Sequence, residues 1–283
     1  MRIDLHTHSS LSDGTDSPTR LVLNAQAKGL STIALCDHDT FDGLAEADEC
    51  ARRVGLQVVD GLEMSARLFN TTVHLLGYGC KTNNEELNME LAKVRASRRD
   101  RLPETLAKLG SLGMEITLEE VANHSSTGSV GRPHVADAMV ARGYVVNRDE
   151  AFQKYLSEGG FAYVERYAVE VSRGIELIHG AGGVAVLAHP FIRSRGSTQI
   201  TPEIIEEMAF DMHLDGIEVD HPSHSAHDRD LLHELGARLG LIRTGGSDYH
   251  GTGKIGHELG CETTRATALT ELLRVIASRG GRA

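Results

Sequence analysis

The 283-residue sequence predicts an α/β fold, a parallel sheet or barrel with its helices outside. Three observations predict it. Short apolar runs rich in Val, Ile and Leu alternate with longer helical patterns, and almost every run ends in a histidine or a carboxylate. The alternation breaks once, for about eighty residues, in which only helical patterns occur.

The elements justify this in order. Ile3–Leu5 leads into His6-Thr7-His8, with Asp13 beyond it. Ser17 then offers an N-cap and Pro18 an N1 proline, Leu21, Val22 and Ala25 form a buried stripe, and Gly29 ends the helix. Thr32–Leu35 leads to Asp37-His38-Asp39, and Asp42 can cap a helix through Arg53 that Gly55 closes. Gln57–Val59 is followed by Glu63, and Val73–Leu76 carries His74. From 84 to 168 the rhythm stops, and helices are expected at Glu85–Arg101, Glu104–Leu109, Leu118–His124, Pro133–Arg142 and Asp149–Leu156. Pro103 breaks the first of these, and polar loops fall at 125–129 and 157–160. Val184–Leu187 then ends in Ala188-His189-Pro190, and Thr201-Pro202 opens a helix. Gly216–Val219 ends in Asp220-His221-Pro222, and Leu241–Thr244 leads into Gly246-Ser247-Asp248-Tyr249-His250. The expected organisation is therefore an α/β domain made of 1–83 and 169–283, interrupted by an all-helical insert at 84–168.

Charge and composition remove several classes of function. With 29 Lys+Arg against 40 Asp+Glu the formal charge is −11, which excludes a grip on long nucleic acid through bulk positive charge. Cys36, Cys50, Cys80 and Cys261 form no CxxC pair, so they read as reduced packing residues rather than a disulfide framework or a thiolate zinc site. The start Met1-Arg2-Ile3-Asp4-Leu5 has no signal-type apolar region, and no apolar run of about 18 residues occurs. The expectation is a cytoplasmic protein with no membrane partner.

Fifteen histidines remain to be explained. Seven strand-like runs delivering His, Asp or Glu to one edge is the layout of a barrel active site at its C-terminal face. Residues i and i+2 of extended chain point to the same side, so His6 and His8 can chelate one ion, and Asp248 and His250 can face one cavity. The carboxylate of Glu63 can bridge two cations. A ligand set of nitrogen and oxygen alone suits Zn²⁺, Mn²⁺ or Fe²⁺. The bland alternatives are that HxH is an exposed strand end and that Asp-His-Asp caps the next helix. They would have to hold independently at seven termini. For His179, His213, His227 and His233, which lie within helical patterns, a surface role is the default.

The ordered segments DLHTHSSLSDG, ALCDHDT, GLEMS, VHLLGY, LAHP and GGSDYH resemble the PHP (polymerase and histidinol phosphatase) family of metal-dependent phosphoesterases, over about 1–80 and 183–256. The resemblance implies a distorted (βα)7 TIM-like barrel holding two or three divalent ions. By motif, His6, His8, Glu63 and Asp248 would hold one ion, Glu63, His74 and His189 a second, and Asp13, His38 and His250 a third. Asp37 and Asp39 would orient imidazoles. Gly131-Arg132-Pro133-His134 resembles the G-R-x-H segment of PHP nucleotide phosphatases and related exoribonucleases, in which an insert covers the barrel mouth and contacts substrate phosphate. Arg132 would supply a planar fork for phosphate oxygens, and His134, near a helix N-terminus, would bind phosphate or move a proton; a capped surface loop is the bland reading. His221 is a further candidate phosphate ligand or proton donor. The implied activity is hydrolysis of nucleotide phosphate monoesters, a nucleoside 5′-monophosphate or a 3′,5′-bisphosphate, by a metal-activated hydroxide. Alternatives are a 5′-3′ exoribonuclease on short RNA, a histidinol phosphatase, a C–N hydrolase and a non-catalytic metal-binding accessory module.

Overall fold

The structure, a computed structural model, describes residues 1–69, 71–125, 130–192 and 199–282. Its first unit is a parallel three-stranded sheet in the order β1-β2-β3, formed by β1 (Ile3–Thr7), β2 (Thr32–Leu35) and β3 (Gln57–Asp60). The crossovers are α1 (Pro18–Ala27) and α2 (Leu44–Val54). Ser17 caps α1 by accepting from the Arg20 N–H, and Gly55, in the left-handed region, closes α2. Leu21, Val22, Ile33, Leu44 and Cys50 pack these helices on the sheet.

The next two strands depart from the sequence expectation. β4 (Glu63–Leu68) and β5 (Thr71–Tyr78) are antiparallel, with Ser65 opposite His74. Glu63 therefore begins a strand, and His74 lies inside one. Glu-Met-Ser-Ala-Arg-Leu contains no apolar run, yet five of its six residues are buried, so neither period nor composition marks it as a strand.

Five helical segments follow: α3 (Glu85–Asp100), α4 (Leu102–Ser111), α5 (Leu118–Ala122), α6 (Arg132–Ala141) and α7 (Arg148–Ala151), the last continued by a π-helical turn to Leu156. Pro103 stands in the first turn of α4, where its missing N–H costs no hydrogen bond. Leu102, Leu109, Val121, Val135, Met139 and Leu156 belong to an apolar cluster drawn only from residues 102–162. The loop expected at 125–129 lies, beyond Ser125, outside the described residues.

The chain then returns through β6 (Val169–Glu170), α8 (Val171–Gly180), β7 (Val184–Leu187), α9 (Pro202–Asp211), β8 (Gly216–Asp220), α10 (Ala226–Leu239), β9 (Ile242–Gly245) and α11 (Ala266–Ser278). The second sheet has the order β6-β4-β5-β7-β8-β9, with only β5 antiparallel to its neighbours. Single-residue parallel bridges, Thr7 to Tyr249 and His38 to Glu63, link the two sheets. Buried side chains from both sheets, among them Ile3, Leu5, Leu76, Tyr78 and Val186, share one core cluster, and the Tyr78 hydroxyl donates to the Leu5 carbonyl at 2.7 Å. These links bring the ends of β1, β2, β7, β8 and β9 beside β4 and β5. No helix among the described residues is long and apolar enough to cross a membrane.

Candidate active site

Nine histidines and carboxylates converge where those strand ends meet. His6 Nε2 and His8 Nε2 lie 3.1 Å apart. The Asp248 Oδ1 is 3.6 Å from the first and 3.3 Å from the second. Glu63 sits between groups: its Oε2 is 3.2 Å from His8 Nε2 and from His38 Nδ1, while its Oε1 is 2.8 Å from His74 Nδ1 and 3.1 Å from His189 Nε2. Asp13 reaches His250 Nε2 at 3.2 Å and His38 Nε2 at 3.6 Å. Ligand atoms of His8, Asp13, His38 and His250, of His6, His8 and Asp248, and of His38, Glu63 and His74 form compact groups, each of which could hold a metal ion.

The local backbone is shaped to present them. Asp39, His189 and Asp248 have φ of 56°, 29° and 50°, so three of the five non-glycine residues with positive φ among those described flank or belong to this centre. Gly246 lies so close to β1 that a Cβ there would meet His6 N and Cβ at 2.5 Å. Asp4 locks the same junction, accepting from Ser247 N at 2.9 Å and Ser247 Oγ at 2.6 Å.

Two further residues, Glu218 and His257, support the centre without a sequence signal. Glu218, fully buried on β8, accepts from His6 Nδ1 through Oε1 and from the His189 N–H through Oε2, both at 2.9 Å. A carboxylate can only accept, so His6 carries its proton on Nδ1 and turns the Nε2 lone pair to the centre. His250 Nδ1 donates to the Asp248 carbonyl at 2.9 Å, which frees its Nε2 in the same way. His257 donates from Nδ1 to the Ser247 carbonyl at 2.7 Å and stands with His221 beside Asp248.

The structure departs from the sequence reading for Asp37 and Asp39, neither of which orients an imidazole. Asp37 accepts from Ser9 N at 2.8 Å and from Ser12 Oγ at 2.6 Å, which ties down the loop after β1. Asp39 accepts from Ser65 N at 2.7 Å and pairs with Arg98 at 2.8 Å. Short acidic side chains beside a strand end satisfy nearby N–H and O–H donors first. His221, the further candidate phosphate ligand or proton donor, stands beside Asp248. It is fully buried; its Nδ1 accepts from the Ser223 N–H, and its Nε2 therefore donates to Asp248 Oδ2 at 3.2 Å.

The electrostatics fit cations. Burial alone would lower the His8 pKa, but hydrogen bonds to Asp248 and Glu63 and the Glu63 charge lift it to about 9. His38, His74 and His221 shift down, chiefly through burial, and so are neutral imidazoles, the ligating form. Among the described residues, buried His8 Nδ1, His38 Nδ1 and His74 Nδ1 make no well-directed hydrogen bond, although Glu63 lies 3.2 Å from the His38 nitrogen and 2.8 Å from the His74 nitrogen. Buried nitrogen atoms without partners are expensive unless something accepts their lone pairs, and the neighbouring carboxylates supply the opposite charge a cation needs. The Lys254 ammonium, paired with Asp248, shows the same attraction.

The centre opens into a cavity of about 1090 Å³, lined by Asp13, His38, Glu63 and His74 and also by Arg98, Arg101, Arg132 and Arg166. Arg132 donates to the Leu156 carbonyl at 2.9 Å, with its guanidinium 5.7 Å from the Phe152 ring centroid and 5.9 Å from that of Tyr163. His134 is buried, its Nδ1 accepts from the Gly131 N–H at 3.0 Å, and it lines a smaller neighbouring cavity of about 450 Å³ with Asp137 and Arg148.

Comparison with known proteins agrees with this geometry. Residues 4–92 match the PHP domain family. A Haemophilus influenzae 5′-3′ exoribonuclease is 33% identical over 249 residues, 88% of this chain and 90% of the relative. The chain belongs to the PHP family. Another member, the 3′,5′-nucleoside bisphosphate phosphatase of Chromobacterium violaceum, is 34% identical over 91% of this chain and 90% of its own length. A solved structure from Bifidobacterium adolescentis, assigned as a metal-dependent phosphoesterase, superposes with a TM-score of 0.91 at 34% identity, covering 96% of each chain. The PHP likeness thus spans the helical segments as well as the two sheets.

Proposed function

We propose that this PHP protein hydrolyses phosphate monoesters of nucleotides, a nucleoside 5′-monophosphate or a 3′,5′-bisphosphate, at a centre of two or three divalent ions. It is a metal-dependent phosphoesterase, a hydrolase of phosphoric ester bonds. The observation that carries the nucleotide reading is the single cavity that joins the nine-residue centre to a wall of guanidinium groups.

His6, His8, Asp13, His38, Glu63, His74, His189, Asp248 and His250 would hold the ions, with Mn²⁺, Zn²⁺ or Fe²⁺ matching the donor set. When bound, such ions supply Lewis acidity to phosphoryl oxygens and acidify water. Glu63, with one oxygen toward His8 and His38 and the other toward His74 and His189, would be the carboxylate shared between ions. Glu218 fixes the His6 tautomer, and His221 and His257 flank Asp248. Arg132 offers its remaining N–H groups to the phosphate oxygens. His134 accepts at Nδ1, so its proton sits on Nε2, and from the neighbouring cavity it would be the proton donor to a departing alkoxide.

The same reading takes the two bridged sheets as the distorted (βα)7 barrel and residues 84–168 as the helical insert over its mouth. The apolar cluster confined to 102–162 supports it, as does the cavity wall formed by Arg98, Arg101, Arg132 and Arg166. A cytoplasmic setting fits the free buried Cys36, Cys50 and Cys80.

The test is phosphate release from nucleoside monophosphates, 3′,5′-bisphosphates, histidinol phosphate and 5′-phosphorylated RNA, with Mn²⁺ and after chelation. Nucleotides are expected to release phosphate only with metal present. Release of mononucleotides from RNA alone would favour the exoribonuclease reading, and silence at full metal occupancy would favour a non-catalytic accessory module.

A further inference from the structure

The turn that follows His250 brings a lysine to the edge of the candidate metal centre. Gly253 N donates to the His250 carbonyl at 3.3 Å, Thr252 N to Thr15 Oγ1 at 2.9 Å, and Arg148 Nη1 to the Gly253 carbonyl at 3.2 Å. The turn is thereby tied to the loop that carries Asp13 and to the first residue of α7. Lys254 comes next in the chain. It lines the large cavity, with its side chain 33% exposed.

Asp248 divides its two oxygens between different neighbours. Its Oδ1 is 3.3 Å from His8 Nε2 and 3.6 Å from His6 Nε2, whereas its Oδ2 accepts from His221 Nε2 at 3.2 Å and from Lys254 Nζ. The lysine therefore pairs with the oxygen that His6 and His8 do not share. An ammonium has three N–H donors and no acceptor. One donor is used on Asp248, and among the described residues Lys254 Nζ makes no other hydrogen bond. The charges of Glu63 and Asp13 also reach it. Phosphoryl transfer depends on fixed positive charge placed at the non-bridging oxygens, where negative charge is spread in the transition state. Lysine suits a moving oxygen because it is a compact charge on a flexible stem, whereas Arg132 is held by the Leu156 carbonyl beside two aromatic rings.

We propose that Lys254 is a further catalytic residue, which keeps one N–H on Asp248 Oδ2 and gives another to a non-bridging oxygen of the reacting phosphoryl group. This deepens the phosphoesterase reading and rests on it for turnover, whereas the contact with the anion is measured by binding alone. The rival role is that of a counter-ion which only neutralises Asp248.

Calorimetry separates the two roles. Mn²⁺ is titrated into wild type, Lys254→Met and Lys254→Arg, and inorganic phosphate is then titrated into each Mn²⁺-saturated protein. Lys254→Met should bind Mn²⁺ no more than about threefold less tightly than wild type but inorganic phosphate about tenfold or more weakly, for the loss of one charge-assisted hydrogen bond. Its kcat on adenosine 5′-phosphate should fall by about 100-fold, and Lys254→Arg should recover part of both losses. Should Lys254→Met fail to fold, Lys254→Gln, which keeps an N–H donor without the charge, carries the same expectation. Unchanged phosphate affinity in the Mn²⁺-saturated variant, or a loss of phosphate binding matched by an equal loss of Mn²⁺ affinity, would overturn the proposal. If wild type binds phosphate but hydrolyses no nucleotide, the phosphoesterase reading fails separately, and the phosphate affinities still decide the role of Lys254. Mn²⁺-saturated wild type that binds no phosphate would refute the contact outright.

Discussion

Glu218 reaches His6 with one oxygen and the His189 N–H with the other, so a single buried carboxylate sets a tautomer on one strand end and a backbone position on another. Removing its charge while keeping its shape isolates that role. Glu218→Gln should fold, bind metal 10 to 100-fold less tightly, on the order seen when such supporting partners are lost, and show it in a metal titration. Unchanged affinity would mean that the contact does not support the ligand. Arg132→Ala separates the opposite function: KM should rise about tenfold or more with kcat within about threefold and metal content unchanged. Equal loss of turnover and metal would contradict that division. At this scale the nine converging residues were legible because each follows or lies in a strand-like run within an ordered set of motifs. Glu218 was not, because Gly-Ile-Glu-Val-Asp reads as a half-buried strand, and its partner lies 212 residues away. His257 and the true contacts of Asp37 and Asp39 were hidden for the same reason, since tertiary hydrogen bonds leave no local pattern.

Among the elements, sequence marked helices and turns better than it marked strands. The boundaries of the five helical segments between 85 and 156 follow from caps, Pro103 and apolar spacing within a few residues. The β4–β5 hairpin escaped because β4 is buried on both faces while carrying Glu63, Ser65 and Arg67, so no alternation survives. That hairpin places Glu63 at the start of a strand and His74 inside the next, and the two still meet at 2.8 Å. A different junction ties α11 to the sheet. Asp215 accepts from Arg279 through both oxygens at 2.7 Å, from His179 at 2.8 Å and from the Ala185 N–H at 2.8 Å. Burial would raise its pKa, but the His179 and Arg279 bonds prevail and lower it. A carboxyl depressed in the folded state stabilises above its unfolded pKa of about 3.9 and loses that contribution as pH falls through the folded value. Asp215→Asn should therefore cost about 1–3 kcal/mol at pH 7, with the difference from wild type shrinking below about pH 4 in denaturant titrations. A pH-independent difference would show that charge at Asp215 contributes nothing.

Over the whole molecule, a formal charge of −11 coexists with a cavity whose wall gathers Arg98, Arg101, Arg132 and Arg166. The acidic balance argues against a surface that grips long nucleic acid, and the interior wall explains how phosphate is nonetheless attracted. Sequence motifs located the acidic and imidazole side of that cavity. On the basic side, Arg132 was marked by its G-R-x-H segment, whereas Arg98 on α3, Arg101 just after it and Arg166 before β6 look like ordinary solvated charges until packing covers them. If the nine residues act as one metal centre with Glu63 shared between ions, metal content and phosphate release must fall together in Glu63→Gln, and both can be measured beside wild type after reconstitution with Mn²⁺. The variant should fold, retain less metal than wild type and release no phosphate from nucleotides. Full metal content with wild-type turnover in Glu63→Gln would contradict it.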